Sequence, residues 1–380
     1  MVAGIALALG AAVLLYTMVL YPFLLWFGWK RTAPPIRKDL NFRATVSILL
    51  AVHDGVEFIR AKIDSLLALD YPCELVQILV ISDGSTDGTD AIVEAYADRG
   101  VRLLRMPRGG KAAAINAGLK EATGEILFFT DVRQPLDPNA LTHLVANFAD
   151  PSVGAVTGEL RFLDRGQGEQ LVLGLYWQYE LWARKRHSEI DSTFVATGCI
   201  YAMRHSLAEP LPPDTLTDDA VMPLRAFFRG YRVIFDPEAL AFDYPTAEGV
   251  EFRRRLRTLA GLWQVCIRMP RLFTRANRMR LHFLSHKFSR LALPWAVMLM
   301  AAATLAMPGS WFRDALLGIE ALAGLLALVD ARVPGSFPLK RVTSAAWTFV
   351  SMNVAALLSL SVFFVPPETL WRTTRVKVRP

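Results

Sequence analysis

Val76-Gln77-Ile78-Leu79-Val80-Ile81-Ser82-Asp83, running into Gly84-Ser85-Thr86-Asp87-Gly88, decides the fold. Its first six residues are almost continuously apolar, which suits a strand with both faces covered by helices. A turn rich in Gly, Ser and Asp closes it. Working back, Val46-Ser47-Ile48-Leu49-Leu50-Ala51-Val52 repeats the pattern and leads to Asp54. Between the two strands Phe58, Ile59, Ile63, Leu66 and Leu67 recur at helical spacing. Working forward, Ile92, Val93 and Tyr96 mark a helix, 101–104 a third strand, 111–122 a helix and 125–130 a fourth strand leading to Asp131. Strand and helix in alternation predict an α/β fold, a doubly wound sheet. Ligands of such sheets gather beyond the carboxyl ends of the strands, where Asp54, Asp83 and Asp131 all fall. Further strands are expected at 153–156 and 232–235. A helix is expected at 169–186, its Tyr176, Trp177, Tyr179 and Trp182 packing on membrane-proximal helices or lining a channel for a ligand that stacks on rings.

The ends of the chain have a different composition. Apolar residues make up 53% of the sequence, and residues 2–27 contain no charge. A membrane crossing takes about 20 helical residues, so 1–29 is read as a transmembrane anchor. Lys30, Arg31, Arg37 and Lys38 follow it, which orients the next domain, 40–250, to the cytoplasm. Apolar stretches at 291–307, 315–331 and 345–365 imply about three C-terminal transmembrane segments within 291–366, the last crossing fully despite Ser351 and Asn353. A basic tail, 367–380, carries Arg372, Arg375, Lys377 and Arg379. Between Phe252 and Arg290 the chain has no Asp or Glu, and arginines interleave with leucines and aromatics. Residues 251–290 are therefore read as basic amphipathic interfacial helices against membrane lipids. The same charge gives no sign of nucleic acid, because no base-reading motif accompanies it. Three widely spaced cysteines, Cys73, Cys199 and Cys266, fit neither a disulfide framework nor a zinc site and are expected to serve packing.

Two more segments carry chemistry. Gly109-Gly110-Lys111 places flexible backbone, a helix start and a cation together, a combination suited to a diphosphate. Thr217-Asp218-Asp219 sets two carboxylates at the start of an expected helix over 220–229, with Thr217 or Asp218 as its cap.

Taken in order, Asp83 with its turn, Gly109–Asn116, Phe128–Arg133 and Thr217–Asp219 resemble glycosyltransferase family 2 from about Val46 to Gln264. The resemblance implies a GT-A-like fold and an inverting enzyme that moves a sugar from a nucleotide sugar donor, UDP-glucose or UDP-N-acetylglucosamine, to an acceptor hydroxyl. It makes Asp83 an acceptor for the uracil ring, with Asp54 beside it, and sets Lys111 on the diphosphate. Asp131 stands where relatives hold Mg2+ or Mn2+ with an Asp-x-Asp motif; Arg133 replaces the second Asp and is left to pair with phosphate. Asp219, last of its triplet, becomes the general base, with Asp218 at its side in the substrate site. Gly198–Arg204 resembles a segment that lines the sugars. Processive synthases carry Gln-x-x-Arg-Trp on an interfacial helix; here Arg254 and Thr258 replace Gln and Trp, while Arg254 and Arg257 remain as substrate contacts. The layout resembles poly-N-acetylglucosamine and chitin-oligosaccharide synthases of bacterial exopolysaccharide synthesis, acting at the inner membrane with a saccharide acceptor and possible export or synthesis partners. Transfer of one sugar to a membrane lipid acceptor is the alternative. A catalytically silent partner in a secretion complex is a third reading, disfavoured because Asp83, Asp131 and Asp219 are all retained. A pure transporter is disfavoured further, because the Gly-x-x-x-x-Gly-Lys-[Ser/Thr] motif of a nucleotide triphosphatase is absent.

Overall fold

A computed structural model describes residues 1–27, 33–163, 175–244, 248–334 and 337–372. Lys30 and Arg31, the first residues of the expected helix at 169–186, and Arg375, Lys377 and Arg379 of the tail lie outside the described residues. The chain divides into an α/β unit and a helical unit.

The α/β unit is built on seven strands: β1 (Val46–Val52), β2 (Val76–Asp83), β3 (Val101–Met106), β4 (Ile126–Asp131), β5 (Val153–Phe162), β6 (Tyr201–Arg204) and β7 (Arg232–Asp243). Their order is β3-β2-β1-β4-β6-β5-β7. The apolar runs are buried as expected: Ile48, Leu50, Leu79, Val80, Ile81, Leu127 and Phe128 are all fully enclosed. Parallel pairing sets Val52 opposite Ser82 and Ala51 opposite Asp131, so β1, β2 and β4 end level. That register brings Asp54, Asp83 and Asp131 to one edge.

The fold class is as expected, and two details of the sheet go beyond the reading. The sheet is mixed, because β6 runs antiparallel to both β4 and β5. Four residues are too few to show a strand period, which is why β6 escapes a reading by pattern. β5 and β7 also continue well past 156 and 235. Gly158 and Asp236-Pro237 interrupt the pattern, but they mark a register shift inside the pair rather than its end. At Gly158 the opposing backbone comes so close that a Cβ would lie 2.4 Å from the Ala239 carbonyl oxygen.

Among the described residues the helical unit contains three helices long and apolar enough to cross a membrane: Val2–Phe27, Arg280–Ala306 and Lys340–Phe363. The second begins at Arg280 rather than 291, so the expected interfacial pair reduces to the helix Glu248–Arg268 and a short turn at Pro270–Phe273. The third runs through Asn353 without a break. The segment expected at 315–331 is the helix Trp311–Val329, whose Arg313, Asp314 and Glu320 set it apart from the other three. Val2–Leu15 packs along Ser289–Ala306, and Gly10 permits this: a Cβ there would lie 2.4 Å from Met300 Cγ.

The aromatic helix is observed at Leu175–Ile190, and its first half belongs to the helical unit rather than to the sheet domain expected over 40–250. Trp182 lies 6.2 Å from Trp26 and Tyr179 5.7 Å from His286, between ring centroids. Packing with the apolar helices therefore accounts for these rings. Cys199 and Cys266 are buried and reduced, whereas Cys73 is exposed and has no packing role.

Gly124, just before β4, has no room for a side chain, since a Cβ would sit 2.4 Å from the Ser47 amide and 2.6 Å from the Val46 carbonyl carbon. Backbone cannot yield as a side chain does. Gly124→Ala is expected to cost about 1–3 kcal/mol and to lower the thermal midpoint by about 2–10 °C, read by near-UV circular dichroism.

Candidate active site

Three strand ends and two helix starts form the site. Asp54, just beyond β1, has φ +47, the one non-glycine residue in that region among the described residues. The strained turn lets it knit two loops. Its Oδ1 accepts from the Thr86 amide at 2.8 Å, while its own amide donates to Ser85 Oγ at 3.1 Å. Asp83, 2% exposed, closes β2 and accepts from the Gly109 amide at 2.6 Å and the Gly110 amide at 3.0 Å; Arg108 pairs with it as well. Gly110 has φ +87, a conformation that favours glycine. Asp83 thus shapes the turn from which Lys111 projects.

Lys111 opens the helix Lys111–Glu121, and its ammonium lies 3.0 Å from Asp131 Oδ1 and 3.0 Å from Asp218 Oδ1. Burial alone would lower its pKa. The carboxylates of Asp131, Asp218 and Asp219 outweigh that and hold it above the ordinary lysine value, so Lys111 is charged. Asp218 is 5% exposed, and its Oδ2 accepts from the Tyr201 hydroxyl at 3.0 Å. Burial, and then Asp218, push the Tyr201 phenol well above its usual range, so it remains a donor. The Tyr201 ring stacks on Phe129 of β4 at 4.6 Å between centroids. The helix starts at Asp218 rather than 220; Thr217 stands at its cap position without a side-chain cap bond. Asp219 is half-buried beside Gly198, where a Cβ would lie 3.1 Å from Asp219 Oδ2.

Of the residues read from sequence, Lys111, Asp131, Asp218 and Asp219 form one cluster, and Asp54 and Asp83 hold the loops around it. Arg254 and Arg257 stand on Glu248–Arg268 of the helical unit, where Arg254 pairs with Glu251 at 3.6 Å. Arg133 does not wait for phosphate: it pairs with Asp243, 2% exposed, which also accepts from Gln134 Nε2 at 2.7 Å.

Sequence reasoning missed Lys62, Arg184 and Asp243, and took Tyr201 only as part of the segment Gly198–Arg204. Arg184, on the helix Leu175–Ile190, donates to Thr197 Oγ1; burial draws its pKa down, opposed first by the Asp219 carboxylate. Lys62 is the most informative of the four. It is 1% exposed, and its ammonium donates to Thr130 Oγ1 at 2.7 Å and to the Gln134 carbonyl at 2.6 Å. Thr130 Oγ1 passes a 2.8 Å hydrogen bond to the Cys199 carbonyl. The two segments flanking the cluster, 130–134 and 197–200, are thereby tied to one buried cation. The signal was present in the sequence, since a lysine on the apolar stripe of Ile59, Ile63 and Leu66 must find partners inside.

Among the described residues no three His, Cys, Asp or Glu side chains converge as a complete metal cage. The Asp131 carboxylate is a hard oxygen donor of the kind that suits a divalent ion sharing its coordination with substrate phosphates.

The family model of glycosyl transferase family 2 matches residues 47–211, which ends just before Asp218. Residues 47–211 are a family 2 glycosyltransferase domain, and the chain is a glycosyltransferase. The enzyme is 25% identical to the Bacillus subtilis (strain 168) protein named "Probable glycosyltransferase YdaM" over 296 residues, 71% of this chain and 69% of the relative. It is 25% identical to poly-beta-1,6-N-acetyl-D-glucosamine synthase of Staphylococcus aureus (strain COL) over 249 residues, 61% of this chain. That match spans 60% of the synthase's length. In three dimensions the enzyme resembles the mannosyltransferase PcManGT from Pyrobaculum calidifontis, solved with GDP-Man and Mn2+, at a TM-score of 0.76 and 24% identity, covering 96% of this chain and 99% of the other. That likeness shows the GT-A-like fold.

Burial draws the Lys62 ammonium down to about 7. Folding therefore releases its proton, and the residue's contribution to stability rises as pH climbs from about 7 to about 10. Lys62→Met should flatten that rise. Thermal midpoints of both proteins across pH 6–10 measure it, and parallel curves would show that Lys62 stays charged throughout.

Proposed function

We propose that the enzyme transfers a glycosyl residue from a nucleoside diphosphate sugar to a saccharide acceptor with inversion, Asp219 serving as general base. The unequal environments of two adjacent carboxylates carry this reading. Asp218 is enclosed and held by Lys111 and Tyr201, whereas Asp219 is half-exposed beside Gly198, whose missing side chain leaves space at the carboxylate. The acceptor hydroxyl gives its proton to Asp219 as its oxygen bonds to the anomeric carbon. The bond from that carbon to the diphosphate breaks on the opposite side, and the nucleoside diphosphate departs. Lys111 is assigned to the diphosphate, Asp83 and Asp54 to the nucleoside side through the loops they hold, and Arg254 and Arg257 to the donor on sequence register alone.

Three carboxylates, Asp131, Asp218 and Asp219, face one ammonium in this cluster, so a dianionic leaving group needs further positive charge. A divalent ion, Mg2+ or Mn2+, held by Asp131 would supply it. The Mn2+ bound by the mannosyltransferase of like fold supports the same choice. Resemblance to the N-acetylglucosamine synthase favours a UDP-sugar and a place in exopolysaccharide synthesis; GDP-mannose is the other donor to test, from the structural neighbour. The apolar helices support association with a membrane, and the reading adopted is a multi-pass plasma-membrane enzyme with its α/β unit in the cytoplasm. A second reading, transfer to a membrane lipid, is favoured by the loss of the Gln and Trp that processive synthases carry near Arg257.

Two outcomes are expected with purified enzyme and a panel of nucleotide sugars. Asp219→Asn should lower transfer by ~10²-fold or more while leaving donor affinity within about threefold, as removal of a general base does; turnover above about a tenth of wild type would move the base elsewhere. Chelation, or Asp131→Ala, should abolish Mn2+-dependent donor binding by calorimetry, and full transfer by chelated wild type would overturn the metal assignment.

A further inference from the structure

The helical unit encloses a cavity of about 390 Å³ that the proposed chemistry leaves unused. Its wall is largely apolar, with Met18, Leu259, Leu293 and Phe349 among its lining residues, and it draws on all three helices able to cross a membrane.

One side of it is charged. Glu180 lies 3.0 Å from His286 Nε2, accepts from Lys287 at 3.3 Å and pairs with Arg290, so two permanent cations meet one carboxylate. The guanidinium groups of Arg290 and Arg255 lie 5.7 and 5.8 Å from the centre of the Tyr176 ring, itself part of the wall. The surplus charge is positive. Thr17, 8% exposed, also lines the cavity, and its hydroxyl has no hydrogen-bond partner among the described residues; neither has Asn353 Oδ1, although its Nδ2 donates to the Phe349 carbonyl at 2.8 Å. Buried polar atoms rarely stay unmatched, so these two define what an occupant brings. A phosphate accepts from Thr17 and balances Arg290, a headgroup hydroxyl donates to Asn353, and a hydrocarbon chain covers the apolar wall. A saccharide would need polar partners around each ring, whereas most of the surface of this wall is apolar.

We propose that this cavity binds one phosphate-headed lipid whose headgroup carries a hydroxyl, with phosphate toward Arg290 and Thr17 and chain along Leu259, Leu293 and Phe349. The inference rests on the reading that these helices lie in a membrane.

The test uses full-length enzyme, stripped of lipid in dodecyl maltoside, and calorimetric titration with dioctanoyl phosphatidylglycerol. Saturable binding to one site is expected. Arg290→Gln and Ala345→Trp, the latter filling the cavity, should each weaken it at least tenfold, whereas Arg271→Gln with Arg275→Gln should not change it. Dioctanoyl phosphatidylcholine and inorganic phosphate should bind at least tenfold more weakly. Equal binding of phosphatidylcholine, equal binding of free phosphate, displacement of the lipid by chitotetraose, or wild-type affinity in Arg290→Gln would each overturn the proposal. Should Ala345→Trp not fold, Arg290→Gln decides. Release of the chain from membranes by alkaline carbonate would break the membrane reading itself; retention without phosphatidylglycerol binding would break only this inference.

Discussion

The ammonium of Lys111, 3.0 Å from a carboxylate at the end of β4 and 3.0 Å from another at the start of the helix Asp218–Phe228, is the contact around which the site is organised. Three elements far apart in sequence meet there. Without the cation, Asp131 and Asp218 would face each other as like charges. With it, that repulsion is offset, and Tyr201 supplies a further donor to Asp218. The parallel register brings the strand ends level; the Gly109-Gly110 turn, clamped by Asp83, aims the lysine at them.

Carboxylates in this fold therefore do two kinds of work. Asp54 and Asp83 hold backbone amides of neighbouring loops, and Asp243 holds Arg133 and Gln134. Asp131, Asp218 and Asp219 face a common centre. A motif shows that a carboxylate is needed at a strand end but not which of these tasks it performs. The distinction comes from what its oxygens already accept.

This explains what could be read from the residues alone. The strands β1, β2 and β4 were legible because burial on both faces leaves a continuous apolar run, and Asp83, Lys111, Asp131 and Asp219 because each follows a strand or opens a helix. β6 was not, since four residues carry no period and their antiparallel placement depends on partners distant in sequence. Lys62 was passed over, and Tyr201 given no role of its own, for a related reason. Each lies in an apolar stretch where pattern reading counts only the apolar members, yet each is the polar residue those neighbours enclose. In the helical unit length and composition identified the apolar helices, but not where the second begins, because the basic residues from Arg280 to Arg290 continue the same helix.

Arg133 bears on how the site balances charge. In place of a carboxylate it brings a cation, and a simple count along the chain would set that cation against the phosphates of a donor. Asp243 already neutralises it, in a pair of which the aspartate is 2% exposed and the arginine side chain 15% exposed. Removing Arg133 from that pair would leave a buried carboxylate with only Gln134 and backbone to meet it, at a cost of several kcal/mol, about 3–5 where one partner of a buried pair is lost. Binding phosphate would not repay such a loss. The substitution therefore lowers the number of carboxylates near Asp131 without adding a mobile cation, and the surplus negative charge of the cluster is left to Lys111 and to whatever positive ion arrives with the donor.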